Sequence, residues 1–228
     1  ISFTAEPGKT TAIIGGTGCG KSTLISLIPR FYDVTEGSIT LDGVDVRDMK
    51  QHYLRENIGY VPQKGLLFSG TIGTNLQYGR EDASLAEMTD AAETAQAMEF
   101  INEKENGFDE EVSQGGTNVS GGQKQRLSIA RALVKKPKVY IFDDSFSALD
   151  FRTDKALREA LASKVGDSTI IIVAQRINTI IDADQIIVLE EGRIAGRGTH
   201  EELLANCSVY KEIALSQLSE KELERGRA

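Results

Sequence analysis

The most constraining feature of this sequence is its glycine-rich segment Gly15-Gly16-Thr17-Gly18-Cys19-Gly20-Lys21-Ser22, which fits the pattern G-x-x-x-x-G-K-[ST]. Glycines let a backbone wrap a phosphate with several N–H groups, and the lysine brings a point charge to the outer phosphates. The serine hydroxyl is a ligand for Mg²⁺, and a helix starting here adds the positive end of its dipole. The apolar run 11–14 predicts a strand before the segment, and 22–28 predicts a helix after it. We therefore predict that this segment, with the adjoining Thr23, binds phosphates.

Composition excludes several classes of protein. The 228 residues are 40% hydrophobic and 26% charged, which is typical of a globular chain with a buried core. The strongest apolar run, 169–174, is far shorter than the roughly 18–20 residues that cross a bilayer. A net charge of −8 argues against a nucleic-acid partner. Two cysteines, Cys19 and Cys207, are too few and too distant for a disulfide framework. Because the chain opens at Ile1 without Met, we expect it to be a piece of a longer polypeptide.

Apolar runs bounded by turn residues alternate with longer helical patterns, which is typical of an α/β protein. Further strands are predicted at 38–41, 57–61, 139–142 and 169–174, with hairpin turns at Asp42-Gly43 and Glu191-Gly192. A mostly helical region is predicted over 71–130, because it contains the stretch 84–102, which has no Gly or Pro. Two more helices are predicted at 123–134 and 153–163. A last helix is predicted to begin at the capping box 199–202. The charged tail 220–228 is predicted to fray.

Two further segments have residues suited to a nucleotide. The apolar run 139–142 is followed by Asp143, and in phosphate-loop NTPases such a carboxylate holds Mg²⁺ from the side opposite the serine hydroxyl. Ser120-Gly121-Gly122-Gln123 precedes a predicted helix. Ser120 and Gln123 form a capping box there, whereas the free N–H groups of the same turn also suit an anion. Composition does not choose between these two interpretations of the turn.

These segments, in this order, resemble the ATP-binding cassette (ABC) family over about residues 1–215. The family's signature turn is Leu-Ser-Gly-Gly-Gln, and this chain has Val119 at the first place. Gln63 resembles the glutamine loop, and 147–150 resembles the loop that meets a partner subunit. The resemblance implies an α/β fold: a RecA-like P-loop NTPase core, about 1–70 and 131–228, with an antiparallel β subdomain and an inserted α-helical subdomain, about 71–130.

The resemblance also implies cofactors and a partner. The cofactors are ATP and Mg²⁺, and the implied metal ligands are Ser22, Gln63 and Asp143. Two cassettes pair head to tail, so that each ATP touches one chain's phosphate loop and the other chain's signature turn, Ser120 to Gln123. Binding closes the pair, and hydrolysis with product release reopens it.

Two stretches are similar to the exporter branch of the family, 66–72 and 108–112. In exporters the second stretch contacts the membrane domains, although residues 113–116 depart from the Gly-Glu-Arg-Gly type segment usual there. The implied partners are the transmembrane domains of the same transporter, at the cytoplasmic face of the cell membrane. The aromatic residue that stacks on adenine is expected upstream of Ile1.

Two residues depart from active cassettes. Asp144 stands where a glutamate polarises the attacking water, and its carboxylate is drawn back by roughly 1–1.5 Å, enough to slow proton transfer. Gln175 stands where a histidine contacts the γ-phosphate, and an amide cannot be protonated. Gln63 is the third predicted catalytic residue. The two departures resemble the slow, degenerate site of a heterodimeric exporter. The signature turn of such a chain completes the fast site of its partner. The alternatives are a homodimeric exporter ATPase with Asp144 as base, or a regulatory ATP-binding module without hydrolysis.

Three other side chains have open or neutral roles. Cys19 is either a reactive thiol at a helix start or a space-filling residue. His52 and His200 belong to no ligand motif, and we expect both to be solvated. The sequence does not identify the transported substrate, because its pocket would lie in membrane domains.

Overall fold

The computed structural model of the chain describes residues 1–218, so the predicted fraying of 220–228 lies outside the described residues. The chain divides into two compact units: Ile1–Ile58 with Thr169–Ala228 form the first, and Gly59–Ser168 form the second. Within residues 1–218, no helix combines the length and the apolar character that crossing a bilayer requires.

Strands and helices are interspersed along the chain, as the α/β prediction required. The strands are β1 (Thr10–Gly15), β2 (Thr40–Leu41), β3 (Val44–Asp45), β4 (Ile58–Val61), β5 (Gly70–Thr71), β6 (Glu111–Val112), β7 (Val139–Asp143), β8 (Thr169–Val173), β9 (Gln185–Glu190) and β10 (Arg193–Gly198). The α-helices are α1 (Lys21–Leu27), α2 (Gln51–Glu56), α3 (Ile72–Gln77), α4 (Leu85–Thr94), α5 (Met98–Asn102), α6 (Gly121–Lys135), α7 (Phe151–Lys164), α8 (Ile177–Ile180), α9 (His200–Asn206) and α10 (Ser208–Gln217). Short 3-10 turns lie at Val46–Asp48, Gly107–Asp109 and Gln114–Gly116.

The first unit is built on four strands in the order β10-β9-β1-β8. Strand β1 pairs in parallel with β8 and β9, and β10 closes the edge antiparallel to β9. The interiors of β1, β8 and β9 are apolar and buried, as expected for parallel strands covered on both faces. The β9–β10 hairpin turns at Glu191 and Gly192 with φ of 46° and 75°, which confirms the predicted two-residue turn.

A second hairpin in the first unit, β2–β3, turns at Asp42 and Gly43 with φ of 51° and 81°, again as predicted. Its first strand is shorter than the predicted 38–41, because only Thr40 and Leu41 pair. The partner strand ends at Asp45, whose side chain accepts a hydrogen bond from the backbone N–H of Arg47 and starts a 3-10 turn.

In the second unit, the buried strand β7 lies next to β4. Helices α3 to α6 lie between these two strands in sequence, and α7 follows β7. The long helix α6 packs against α3 and α4. The unit contains the predicted helical region 71–130 together with β7 and most of β4. The division into RecA-like core and helical subdomain stays a prediction.

The predicted helical stretch 84–102 divides into two helices rather than continuing as one. Helix α4 ends at Thr94, and Gln96 adopts a left-handed φ of 56° before α5 begins. The backbone N–H of Ala97 then bonds to the carbonyl of Ala92 at 2.7 Å, which closes the turn. The sequence signal missed this break because no glycine or proline marks it.

Candidate functional site

The predicted phosphate loop, residues 15–22, begins at the last residue of β1 in the first unit, and its shape depends on glycine. A Cβ atom added at Gly15 would lie 2.1 Å from the carbonyl oxygen of Leu189 and 2.7 Å from Cys19 Sγ, so no larger residue fits. Gly20 precedes α1 with a left-handed φ of 100°. Residues 16–18 are exposed, which leaves the loop open to a ligand.

Lys21 folds back over this loop. Its Nζ donates hydrogen bonds of 2.8 Å to the carbonyls of Gly15 and Gly16 and lies 3.7 Å from Cys19 Sγ. The ammonium charge is therefore held over the backbone predicted to wrap a phosphate. Ser22 and Thr23 follow on the first turn of α1, and both are exposed.

Gln175 reaches the same edge of the first unit's sheet as the phosphate loop. Strands β1 and β8 run parallel with Ile13 opposite Val173, so Gly15 and Gln175 each follow two residues later. Gln175 is exposed, and its backbone carbonyl accepts a 2.8 Å hydrogen bond from Gln217 Nε2. The structure therefore brings Gln175 to the edge where the phosphate loop begins.

In the second unit, Asp143 and Asp144 stand at the end of β7, only 8% and 6% exposed. Tyr60 donates its hydroxyl to Asp143 Oδ2 at 3.1 Å, and Gln63 Nε2 donates to Asp144 Oδ2 at 3.0 Å. The structure thus brings Gln63 and Asp144 together, and their catalytic role stays a prediction. The part played by Tyr60 was not predicted, because the sequence does not show that β4 lies beside β7.

The turn at Ser120 forms the capping box predicted for it. Ser120 Oγ accepts from the backbone N–H of Gln123 at 3.3 Å, and Gln123 Oε1 accepts from the backbone N–H of Ser120 at 3.1 Å. Ser120 and Gly121 are exposed at the start of the 15-residue helix α6. The first N–H groups of a helix have no partner within it, so this capped turn also presents donors to an anion.

Helix α6 contacts the segment that contains Gln63 and holds it by a hydrogen bond. Gln125 is buried and donates to the carbonyl of Pro62 at 3.1 Å. A Cβ atom at Gly65 would lie 2.8 Å from the backbone of Lys124, so the loop rests directly on the helix. Sequence reasoning missed Gln125, because its partner is a backbone atom that no side-chain motif reveals.

The side chains predicted to hold a nucleotide and Mg²⁺ have suitable chemistry. Ser22 provides a hydroxyl oxygen, Asp143 a carboxylate and Gln63 an amide oxygen. These are the hard oxygen donors that Mg²⁺ takes, usually alongside the phosphates of its substrate. Gln63 Nε2 already donates to Asp144, so Oε1 is the atom of its amide that could ligate.

Both histidines were expected to be solvated; the structure agrees for His52 and disagrees for His200. His52 is exposed and lies 2.9 Å from Glu56. His200, by contrast, is only 3% exposed, and its Nδ1 lies 2.8 Å from the hydroxyl of Tyr210. Desolvation by burial lowers the pKa of the His200 imidazole from its usual value. The prediction that His200 is solvated was wrong, because helices α9 and α10 fold together and cover it.

The chain is similar to known ABC proteins over nearly all of its length. The sequence profile described as "ABC transporter" matches residues 1–147. An uncharacterized ABC transporter ATP-binding protein of Mycobacterium tuberculosis (strain ATCC 25618 / H37Rv) is 51% identical over 95% of this chain. An ATP-dependent lipid A-core flippase of Haemophilus ducreyi is 44% identical over 96% of it. In both cases the chain covers 38% of the relative's length.

A solved structure of a bacterial Atm1-family ABC exporter with ATP bound superposes with a TM-score of 0.93 at 43% identity. The match covers 96% of this chain and 39% of the exporter. It confirms the predicted fold class, the ABC ATPase fold. The ATP-binding domains of this family are ATPases, which agrees with the predicted enzyme class. The chain therefore belongs to the ABC transporter family, as an ATP-binding domain homologous to those of ABC exporters.

Proposed function

We propose that this chain binds MgATP, pairs with a second cassette and drives ATP-dependent export of a substrate across a membrane. Its further partners are the transmembrane domains of the same transporter, which would place it at the cytoplasmic face of the cell membrane. The similarity to an Atm1-family exporter and to an ATP-dependent flippase supports export. The chain spans about two fifths of these relatives, so their remaining length can accommodate membrane domains.

The phosphate loop provides the binding chemistry in this proposal. Lys21 Nζ, now on the carbonyls of Gly15 and Gly16, has the charge and the reach to meet the outer phosphates. The Ser120 turn serves the nucleotide of the partner cassette. Ser22, Asp143 and Gln63 hold Mg²⁺, which when bound neutralises charge that develops on the phosphates.

The finer proposal is that this chain's own site turns over slowly and that its partner is a different chain. The observation that carries it is the 3.0 Å hydrogen bond from Gln63 to Asp144. A base has to lie within about 2.6–3.2 Å of the proton that it takes. A carboxylate one methylene shorter than glutamate, with one oxygen engaged by Gln63, is poorly placed for that task. Gln175 adds a second loss, because an amide can donate to a γ-phosphate but cannot be protonated.

Nucleotide binding tests the basic assignment. Lys21→Ala should abolish MgATP binding in isothermal titration calorimetry, because the loop loses its cation. Lys9→Ala is the matched control, since Lys9 is an exposed lysine that precedes β1 in the same unit. Equal affinities for the wild type and Lys21→Ala would overturn the phosphate-loop assignment.

A further inference from the structure

One side chain of helix α10 bonds to the backbone around Gln175. Gln217 Nε2 donates to the carbonyl of Gln175 at 2.8 Å, and Gln217 Oε1 accepts from the backbone N–H of Ile177 at 2.9 Å. The two bonds span Arg176, and they join residues 40 and 42 positions apart in sequence. A single amide thus fixes both ends of the turn that connects β8 to α8.

These backbone groups need a partner from outside the turn. Helix α8 has only four residues, and its N-cap residue, Arg176, makes no side-chain capping bond. The first N–H groups of a helix find no acceptor within the helix. Gln217 therefore acts as the missing cap for Ile177, supplied by another helix.

The position of Gln217 is itself fixed by packing. Tyr210 and Ala214 lie four residues apart on one face of α10, Leu218 follows directly after the helix, and all three are buried. This stripe packs α10 onto α8, β9 and β10 of the first unit. Gln217 is the exposed last residue of α10, directly before the buried Leu218, and its two hydrogen bonds direct its amide toward the turn.

We propose that Gln217 is a positioning residue for nucleotide binding: it holds the turn after β8 so that the Gln175 side chain meets the γ-phosphate. The proposal rests on the function proposed above for Gln175. Losing the amide would remove the hydrogen bonds on both sides of Arg176 and loosen the turn that carries Gln175. Displacements of about 1 Å are known to matter at such sites.

The consequence is a change in nucleotide preference rather than a general loss. ATP has a γ-phosphate and ADP does not, whereas the Lys21 loop also meets the other phosphates. Gln217→Leu should therefore weaken MgATP binding by about 2- to 10-fold, the range expected for one typical hydrogen bond. MgADP binding should stay unchanged. A merely structural role for Gln217 would weaken both nucleotides alike.

The experiment compares the dissociation constants of MgATP and MgADP in four variants of the whole chain. These are Gln217→Leu, Gln217→Glu, Gln175→Ala and the double variant Gln175→Ala with Gln217→Leu. Ser216→Ala is the matched control, because Ser216 Oγ donates to the carbonyl of Ile213 within α10, away from the turn after β8. Gln217→Glu keeps an acceptor for Ile177 but loses the donor to Gln175, so it should show the same preference change even if Gln217→Leu fails to fold.

Two results would support the proposal. The ratio of the two dissociation constants should shift in Gln217→Leu and not in Ser216→Ala, and the shift should vanish when Gln175 is already alanine. Hydrogen–deuterium exchange at the Ile177 amide should also become faster in Gln217→Leu, independently of any nucleotide.

Three results would overturn it. An unchanged ratio in both Gln217 variants would exclude a positioning role while leaving MgATP binding by the Lys21 loop intact. The same shift in the Gln175→Ala background would show that Gln217 acts by another route. A wild-type chain that binds MgATP and MgADP equally would instead overturn the proposed role of Gln175, and this proposal with it.

Discussion

Gln63 and Asp144 are joined by a 3.0 Å hydrogen bond from the amide Nε2 to the carboxylate Oδ2. Asp144 also has a left-handed φ of 48°, a conformation that aspartate tolerates better than most residues. The bond ties the loop after β4 to the end of β7, within the second unit. Whether this carboxylate can also act as a base distinguishes the proposed slow site from an active ATPase site.

Ser120→Arg should separate the structural role of the signature turn from its role toward the partner. We expect ATP binding by the chain alone to stay within about threefold of wild type, because a lost N-cap costs only about 0.5–2 kcal/mol of stability. In the assembled transporter we expect most ATPase activity to be lost, because a bulky cation blocks the partner's nucleotide.

Ser84→Arg is the matched control for that experiment. Ser84 caps α4 through the same kind of capping box, with Glu87 in the place of Gln123. It should lower stability by a similar amount and leave ATPase activity in place. A collapse of ATP binding in Ser120→Arg alone would make Ser120 a residue that the fold needs.

Arg131→Met should destabilise the second unit. The Arg131 guanidinium donates to the carbonyls of Leu66 and Asn75 and to Asn75 Oδ1, at 2.8–2.9 Å, and lies over the Phe68 ring. Burial lowers the pKa of Arg131, because the charged guanidinium loses contact with water. Methionine would remove the Arg131 donors from the carbonyls of Leu66 and Asn75, whereas Asn75 Oδ1 would keep the backbone N–H of Phe68. We expect a cost of about 2–4 kcal/mol in the free energy of unfolding.

Denaturant unfolding of Arg131→Met measures this cost. Arg131→Lys should recover only part of the loss, since an ammonium cannot reproduce the planar fork of the guanidinium. Arg152→Met, at an exposed position of α7, is the matched control and should stay within about 0.5 kcal/mol of wild type. Equal stability of the two methionine variants would contradict the assigned role of Arg131.

His200 should make the stability of the first unit depend on pH. Because burial lowers the pKa of His200 in the folded state, the unfolded chain takes up the proton first. The free energy of unfolding should therefore fall as pH drops below about 6.5, with a slope of up to about 1.4 kcal/mol per pH unit. Unfolding curves recorded between pH 5 and pH 8 measure this pH dependence of the free energy of unfolding.

Two substitutions identify the group responsible. His200→Gln can keep a hydrogen bond to Tyr210 but does not titrate, so the slope should flatten. His52→Gln keeps His200 and should keep the slope. A slope that is the same in His200→Gln as in wild type would assign the effect to other groups.

Local signals predicted the fold class and several turns and caps of the structure. The turns at Asp42-Gly43 and Glu191-Gly192 and the cap at Ser120 depend on residues close together in sequence, and each was predicted correctly. The phosphate-binding role of residues 15–22 is also a local prediction, because the glycines and Lys21 lie within eight residues, and it stays a prediction.

Interactions between distant residues could not be predicted in this way. The left-handed turn at Gln96 has no glycine to announce it, and its closing bond depends on how α4 and α5 pack. His200 is buried by Tyr210 from the next helix. Gln217 lies 42 residues from the carbonyl that it binds, and no periodic pattern relates the two.

Steady-state phosphate release from the assembled transporter tests most directly whether this chain's own site is degenerate. With the partner cassette's catalytic glutamate silenced, the double change Asp144→Glu and Gln175→His should raise hydrolysis at least about tenfold, since a well-placed base is worth roughly 10²–10⁴-fold. With the partner intact, Asp144→Asn alone should change total turnover little. A large loss of activity in Asp144→Asn, with no gain in the double variant, would contradict the degenerate site and make Asp144 the working base of a homodimeric exporter.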